Sequence, residues 1–191
     1  DNIDCNWHNV DVTVTLTASD TGAGVNKTYY SYSIDGLADP STEYTAPFTI
    51  TADGTYIVKY YSTDKAGNAE PVKTAVNQVK LDKTAPVIVI TSPLDNSYTN
   101  QSSITLTGTV DGVAFSETRA LTTEGANIIT KTAIDQAGNT GSASITVYKD
   151  TTPPVTTNNI DGNWHNTDVT VTLIASDTGA GVNKTYYSYS I

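Results

Sequence analysis

Methionine is absent from the 191 residues, cysteine occurs once, and lysine and arginine together number 10 against 20 aspartates and glutamates. Each shortage excludes something. A chain without methionine, even at position 1, reads as a mature or internal segment whose start, signal peptide and anchors lie elsewhere. The lone Cys5 has no internal disulfide partner, and the lack of a Cys-x-x-Cys-His motif excludes covalent c-type haem. A net charge of −10 opposes phosphate backbones and anionic lipid headgroups, both of which need clustered Lys and Arg. Nucleic acid and membrane surfaces are therefore not expected partners. No apolar run reaches the roughly 18 residues that a membrane span requires. What remains is a chain of 38% hydrophobic residues, enough for small cores, with 12 tyrosines against 2 phenylalanines and 2 tryptophans.

Alternation is the main structural signal. Val12, Val14 and Leu16 alternate with Thr13, Thr15 and Thr17, and the same pattern recurs at Ile104, Leu106 and Thr107 and at Ile145 and Val147. Threonine on the wet face of a strand supplies β-propensity without exposed apolar surface. Turn signals at Asp35-Gly36, Asp53-Gly54, Gly67-Asn68 and Gly138-Asn139 break these runs at intervals suited to a sandwich of about seven strands. Tyr56, two residues before Val58 at a strand entry, has the placement of a tyrosine corner, and Asn127 and Ile129 hold the matching positions after Gly125. Helical periodicity is absent. The expected fold class is all-β, tandem immunoglobulin-like β-sandwich domains with no significant helix.

Internal repetition sets the organisation. Residues 2–34 recur as residues 159–191, differing only at Cys5/Gly162, Val10/Thr167 and Thr17/Ile174, which signals recent duplication. A more diverged repeat lies within: Asp64 to Asn68 followed by Asp82 to Pro86 reappears as Asp135 to Asn139 followed by Asp150 to Pro154. Three domains are expected, at 1–83, at 84–151 in a shortened form, and at 152–191 as an incomplete second copy of the first. Each complete domain closes on an Asp-x-Thr-x-Pro joint whose proline stiffens the chain and denies its N–H to a continuing ladder. The last copy stops after Tyr189 and Ser190, so the segment reads as one period of a longer array. Alone it is expected not to fold, and to be completed by its own continuation or by strands from a neighbouring molecule.

These motifs carry a family resemblance. Trp7, the Val12 to Leu16 strand, Ala18 to Val25, Tyr32 to Gly36, Asp53 to Tyr56 and Asp64 to Asn68 resemble bacterial Ig-like tandem repeats of large surface and extracellular proteins. The second domain, with Pro93, Leu106 to Gly112, Glu124 to Asn127 and Asp135 to Asn139, is similar to Ig-like modules of surface proteins and of secreted glycosidases. It lacks most of the segment between strands C and E, so its central strands are expected to be short or missing. The resemblance implies a structural or adhesive extracellular protein, a stalk, adhesin or filament subunit at the surface of a bacterium or archaeon, and not an enzyme. The alternative is a non-catalytic accessory module of a secreted carbohydrate-active enzyme. Such modules serve as spacers, heads and accessories alike, so the fold does not choose between them.

Candidate sites follow from residue type and position. Strand counting places the loops after strands B and F at the end where the preceding domain arrives, so Asp82 should approach Asp111 and the Asp135/Asn139 turn, and Asp150 should approach Asp177. Calcium, which takes six to eight oxygens, is the cofactor such joints would hold; the competing reading is that these residues make turns through side-chain to backbone bonds. Tyr29, Tyr30 and Tyr32, with their copies Tyr186, Tyr187 and Tyr189, form the candidate surface for self-association into a fibre or for a glycan or other surface ligand, against the alternative of core packing. His8 and His165 have no second ligand at metal spacing and are expected to be hydrogen-bonded or exposed. Lys131 shares the parity of Ile129 and Ala133, which suggests a bulge or a lysine that snorkels from the core rather than an isopeptide cross-link. No serine sits in Gly-x-Ser-x-Gly, and the acids fall in turns rather than across a cleft, so no catalytic residues are expected.

Overall fold

The computed structural model describes residues 1–190, and among them no helix is long and apolar enough to cross a membrane. Strands and turns make up the fold. Two compact units emerge, one of Asp1–Pro86 with Ala133–Gly141 and the other of Val87–Thr132 with the chain from Ser142 onward.

The first unit holds a sandwich. One layer orders β1 (Trp7–His8), β8 (Val79–Leu81), β6 (Gly54–Asp64), β3 (Val25–Ser33) and β4 (Thr42–Glu43), with β7 (Lys73–Thr74) also on β6. The other pairs β2 (Val12–Val14) with β5 (Phe48–Ile50). Second and fifth strands on one layer, third, sixth and eighth on the other, is the immunoglobulin arrangement of B and E against C, F and G. Period-2 alternation decides what lies between the layers: Tyr56 and Val58 from β6, Val79 and Leu81 from β8, Val14 and Ile50 from β2 and β5, with Ile3, Leu16 and Ala75. On the outward face of β2 and β5, Thr13 meets Thr49 across the strands at 3.3 Å.

The second sandwich is shorter. One layer is β9 (Ile88–Ser92), β11 (Ser103–Val110) and β12 (Val113–Ala120), and the other is β10 (Ser97–Thr99), β14 (Thr140–Lys149) and β13 (Gly125–Ile134). Strand β11 turns straight into β12 through Asp111 and Gly112, at φ 48° and 79°, the two left-handed positions of a type I′ hairpin. No strand crosses to the opposite layer between them, which is the structural consequence of the shortened centre. Leu106, Leu121, Ile129, Ile145 and Val147 form the core, with Ile90, Ile104 and Phe115 against it.

The duplicated segment separates local from tertiary effects. Asn2 donates to the Thr13 carbonyl at 3.0 Å and accepts from the Thr15 N–H at 2.7 Å; Asn159 does the same to Thr170 and Thr172 at the same distances. That clamp is encoded locally. Burial is not: Val14 is 0% exposed and Leu16 7%, whereas their copies Val171 and Leu173 are 52% and 36% exposed. Residues 152–190 carry one hairpin, β15 (Val155–Asn158) with β16 (Leu173–Ser176), and no counterpart of β5, β6 or β8 to cover it.

Candidate functional site: clamps on the two linkers

The chain leaves β8 into residues 82–86, and the first sandwich holds this linker at several atoms. Asp82 extends the parallel ladder by donating its N–H to the His8 carbonyl at 2.9 Å, and its own carboxylate accepts from the Thr84 N–H at 3.0 Å in an Asx turn. Asp53 then grips both sides of the turn. Its Oδ1 accepts from the Lys83 N–H at 2.9 Å and its Oδ2 from the Thr84 hydroxyl at 2.8 Å. Lys83 adds its ammonium, which donates to Asp11 at 2.8 Å and to the Thr51 carbonyl at 2.5 Å. The hydrogen bond to Asp11, with the charges of the Asp11 and Asp53 carboxylates, raises the pKa of Lys83. What fixes Asp53 is the tyrosine corner, in which the Tyr56 hydroxyl donates to the Ala52 carbonyl at 3.1 Å.

Where β14 ends, the same device recurs with different side chains. Asp150 donates its N–H to the Thr99 carbonyl at 2.9 Å and accepts from the Thr152 N–H at 3.0 Å. Glu124 takes the role of Asp53, accepting from the Thr151 N–H and, at 3.1 Å, from the Thr151 hydroxyl. Asn127 replaces the tyrosine. Buried, it donates to the Thr123 and Gly125 carbonyls at 2.8 and 2.9 Å and accepts from the Thr123 hydroxyl at 3.0 Å, closing the turn that carries Glu124. Both clamps thus consist of an acid before a glycine, a corner residue two positions beyond that glycine, and a hydroxyl and N–H on the departing linker.

Sequence reasoning found the turns and the corner but missed Asp53, Lys83 and Glu124 as linker ligands. A usable signal was present: acid-Gly-x-Tyr or acid-Gly-x-Asn accompanies Asp-x-Thr-x-Pro in both domains.

The proposed calcium ligands are distributed as follows. Asp82 meets Asn139, whose Nδ2 donates to the Asp82 carbonyl at 2.8 Å. Asp135 accepts from the Asn139 N–H at 2.9 Å and from its Nδ2 at 2.8 Å. Burial pushes the Asp135 carboxyl up, but the amides of Asn139, Ala137 and Gly138 outweigh it and hold the group below the usual carboxylate range. In the second unit Asp111 accepts from the Val87 N–H at 2.7 Å. Asp150 reaches the 177–181 loop, where its Oδ2 accepts from the Ala180 N–H at 2.5 Å, while Asp177 accepts from the Gly179 N–H at 3.2 Å. A calcium ion needs six to eight oxygens turned toward one point. Here one carboxylate oxygen each of Asp82, Asp111 and Asp177, and both of Asp135 and Asp150, accept from N–H groups, and no group of three or more His, Cys, Asp or Glu converges among the described residues.

The tyrosines divide by strand face. Tyr30 packs against the core, whereas Tyr32 on the same strand face is 41% exposed; both stack on Phe48, at centroid distances of 3.9 and 5.5 Å, and burial raises the pKa of the Tyr30 phenol. Tyr29 faces the other way and stacks on Tyr61 at 5.2 Å. Their copies Tyr186, Tyr187 and Tyr189 are exposed. His8 and His165 bond Asp4 and Asp161 at 2.9 and 3.1 Å. Lys131 snorkels, with its ammonium 4.8 Å from the Phe115 ring centre and 3.1 Å from Glu117.

No protein family and no curated protein matches the chain. Two solved structures are similar in part. The fibronectin(III)-like modules of Clostridium thermocellum CbhA are 19% identical over 75% of this chain and 87% of that one, with a TM-score of 0.33. The D00-D0 domain of Intimin is 13% identical over 96% of this chain and 92% of that one, with a TM-score of 0.30. Scores this low leave the assignment of each sandwich to its own strand order.

Proposed function

We propose that the chain is a repeat unit of a structural tandem-repeat protein at or beyond the surface of a bacterium or archaeon, a stalk, adhesin or filament element whose work is mechanical rather than catalytic. The observation that supports this reading is the clamp present in two diverged sandwiches. A linker held by one N–H and one hydroxyl leaves its sandwich in a defined direction, and a repeated module with defined exits makes a strut of set reach. Near-identity of residues 2–34 and 159–191 supports the same reading, because duplication lengthens a strut without new chemistry. Lateral contacts in such an array fall to the outward Tyr29–Tyr61 pair, which offers broad area at low entropy cost.

Electron microscopy of the secreted protein tests the proposal. Linear strings with an axial period of two sandwiches, roughly 70–90 Å from strands of about 17–20 Å plus loops and linkers, are expected. Compact particles without linear order would overturn it.

A further inference from the structure

We propose that the 20–24 loop and the 64–68 turn of the first sandwich form a receptor for the Asp-Thr-Thr-Pro-Pro linker of a second copy of this repeat, taking its aspartate on the Ala23 N–H and its backbone carbonyl on the Asn68 amide. Two occupied examples within the same protein support it. The 177–181 loop has the same sequence as the 20–24 loop, Asp-Thr-Gly-Ala-Gly, and it holds the Asp150 carboxylate through the Ala180 N–H at 2.5 Å. Its final glycine, Gly181, has φ 82°, as does Gly24. The 135–139 turn shares the Asp-x-Ala-Gly-Asn pattern of the 64–68 turn, and Asn139 donates Nδ2 to the linker carbonyl of Asp82 at 2.8 Å. Each half of the receptor is thus seen holding one atom of a linker aspartate.

In the first sandwich both halves are assembled and open. The Lys65 N–H donates to the Gly24 carbonyl at 3.0 Å, tying the turn to the loop. Asp20, Asp64 and Asn68 line one cavity of about 300 Å³. Asn68 makes the same two capping bonds to Asp64, at 2.8 and 2.7 Å, that Asn139 makes to Asp135. Asp20 caps the Gly24 N–H at 2.7 Å, and the Ala23 N–H finds no acceptor among the described residues. An aspartate entering beside Asp20, Asp64 and Glu70 meets like charge, which the pocket moderates. Glu70 pairs with the Lys73 ammonium, Asp64 is covered by the Asn68 amides, and the Lys65 ammonium lies against Gly24. Asp150 and Asp177 already coexist around the duplicate loop. Tethering in an array supplies millimolar effective concentration, so a weak contact is sufficient to set the joint.

The proposal rests on the tandem reading and is tested separately from it. A peptide of residues 149–154 is titrated into the isotope-labelled 191-residue chain, followed by amide resonances and the Asn68 side-chain signals. Saturable shifts at Gly22, Ala23 and Asn68 are expected with a Kd in the millimolar range, and a D150N peptide should bind at least about tenfold more weakly because the charge-assisted bond is lost. Absence of saturable shifts at these sites, or equal binding of the D150N peptide, overturns the docking. Should that happen while electron microscopy shows evenly spaced strings, the strut reading stands and only the receptor falls.

Discussion

Gly108→Ala should lower the melting temperature of the second sandwich by about 8–15 °C, a loss of roughly 2 kcal/mol or more in a domain of this size. Gly108 sits where the β9–β11 ladder shifts register, opposite Ile90. A Cβ built there would collide with the Val89 carbonyl oxygen and lie 3.0 Å from both the Ile90 Cα and the Phe115 ring. Backbone on one side and a packed ring on the other leave no flexible tip to yield. Either β9 separates from β11 or Phe115 leaves its place beside the core. Thermal denaturation of the variant beside Ser103→Ala, an exposed change on the same strand, gives the comparison. Melting of the two within about 1 °C of each other would show that the approach of β9 at Gly108 does not limit stability.

Asn127→Ala should cost about 2–3 kcal/mol, against about 1 kcal/mol for Tyr56→Phe. The two residues occupy equivalent corners, but their bonding differs. Tyr56 contributes a single hydroxyl to the Ala52 carbonyl, and the phenylalanine ring keeps its packing. Asn127 is buried and serves two carbonyls and a hydroxyl at once, so its truncation leaves the Thr123 and Gly125 carbonyls without their partner. The turn that carries Glu124 loosens with it, and the Thr151 amide should exchange faster in Asn127→Ala by the same free energy. Equilibrium denaturation checks the ranking. A cost for Asn127→Ala no larger than that for Tyr56→Phe would mean that water replaces the asparagine without penalty.

Much of this architecture is written in short-range pattern. Valine and threonine alternation marks the strands, Asp111-Gly112 marks a two-residue hairpin, and the shortened middle of the second domain gives that hairpin its direct connection. Tyr56 is recognisable because its partner, Ala52, is only four residues away. The clamps were harder to read because their partners lie far apart in sequence, Asp53 with Lys83 and Glu124 with Thr151, and meet only where the last strand of each sandwich ends. Parity divides Tyr29 from Tyr30 and Tyr32, yet which face is the core depends on Phe48, a residue of the opposite layer. Identical residues in the two copies make the point most clearly: the Asn2 clamp recurs at Asn159, whereas Trp7 is half-buried and Trp164 is fully exposed.

Fixed linkers are the core of the structural reading, and backbone relaxation at Lys83, Thr84, Thr151 and Thr152 tests them most directly. The clamps predict nitrogen-15 order parameters of about 0.85 at these amides, equal to those of the strands, falling below about 0.6 at the first pair in Asp53→Ala and at the second in Glu124→Ala. Values below about 0.6 in the unsubstituted protein would contradict the account, since a linker that moves freely on the nanosecond timescale is not held by these clamps.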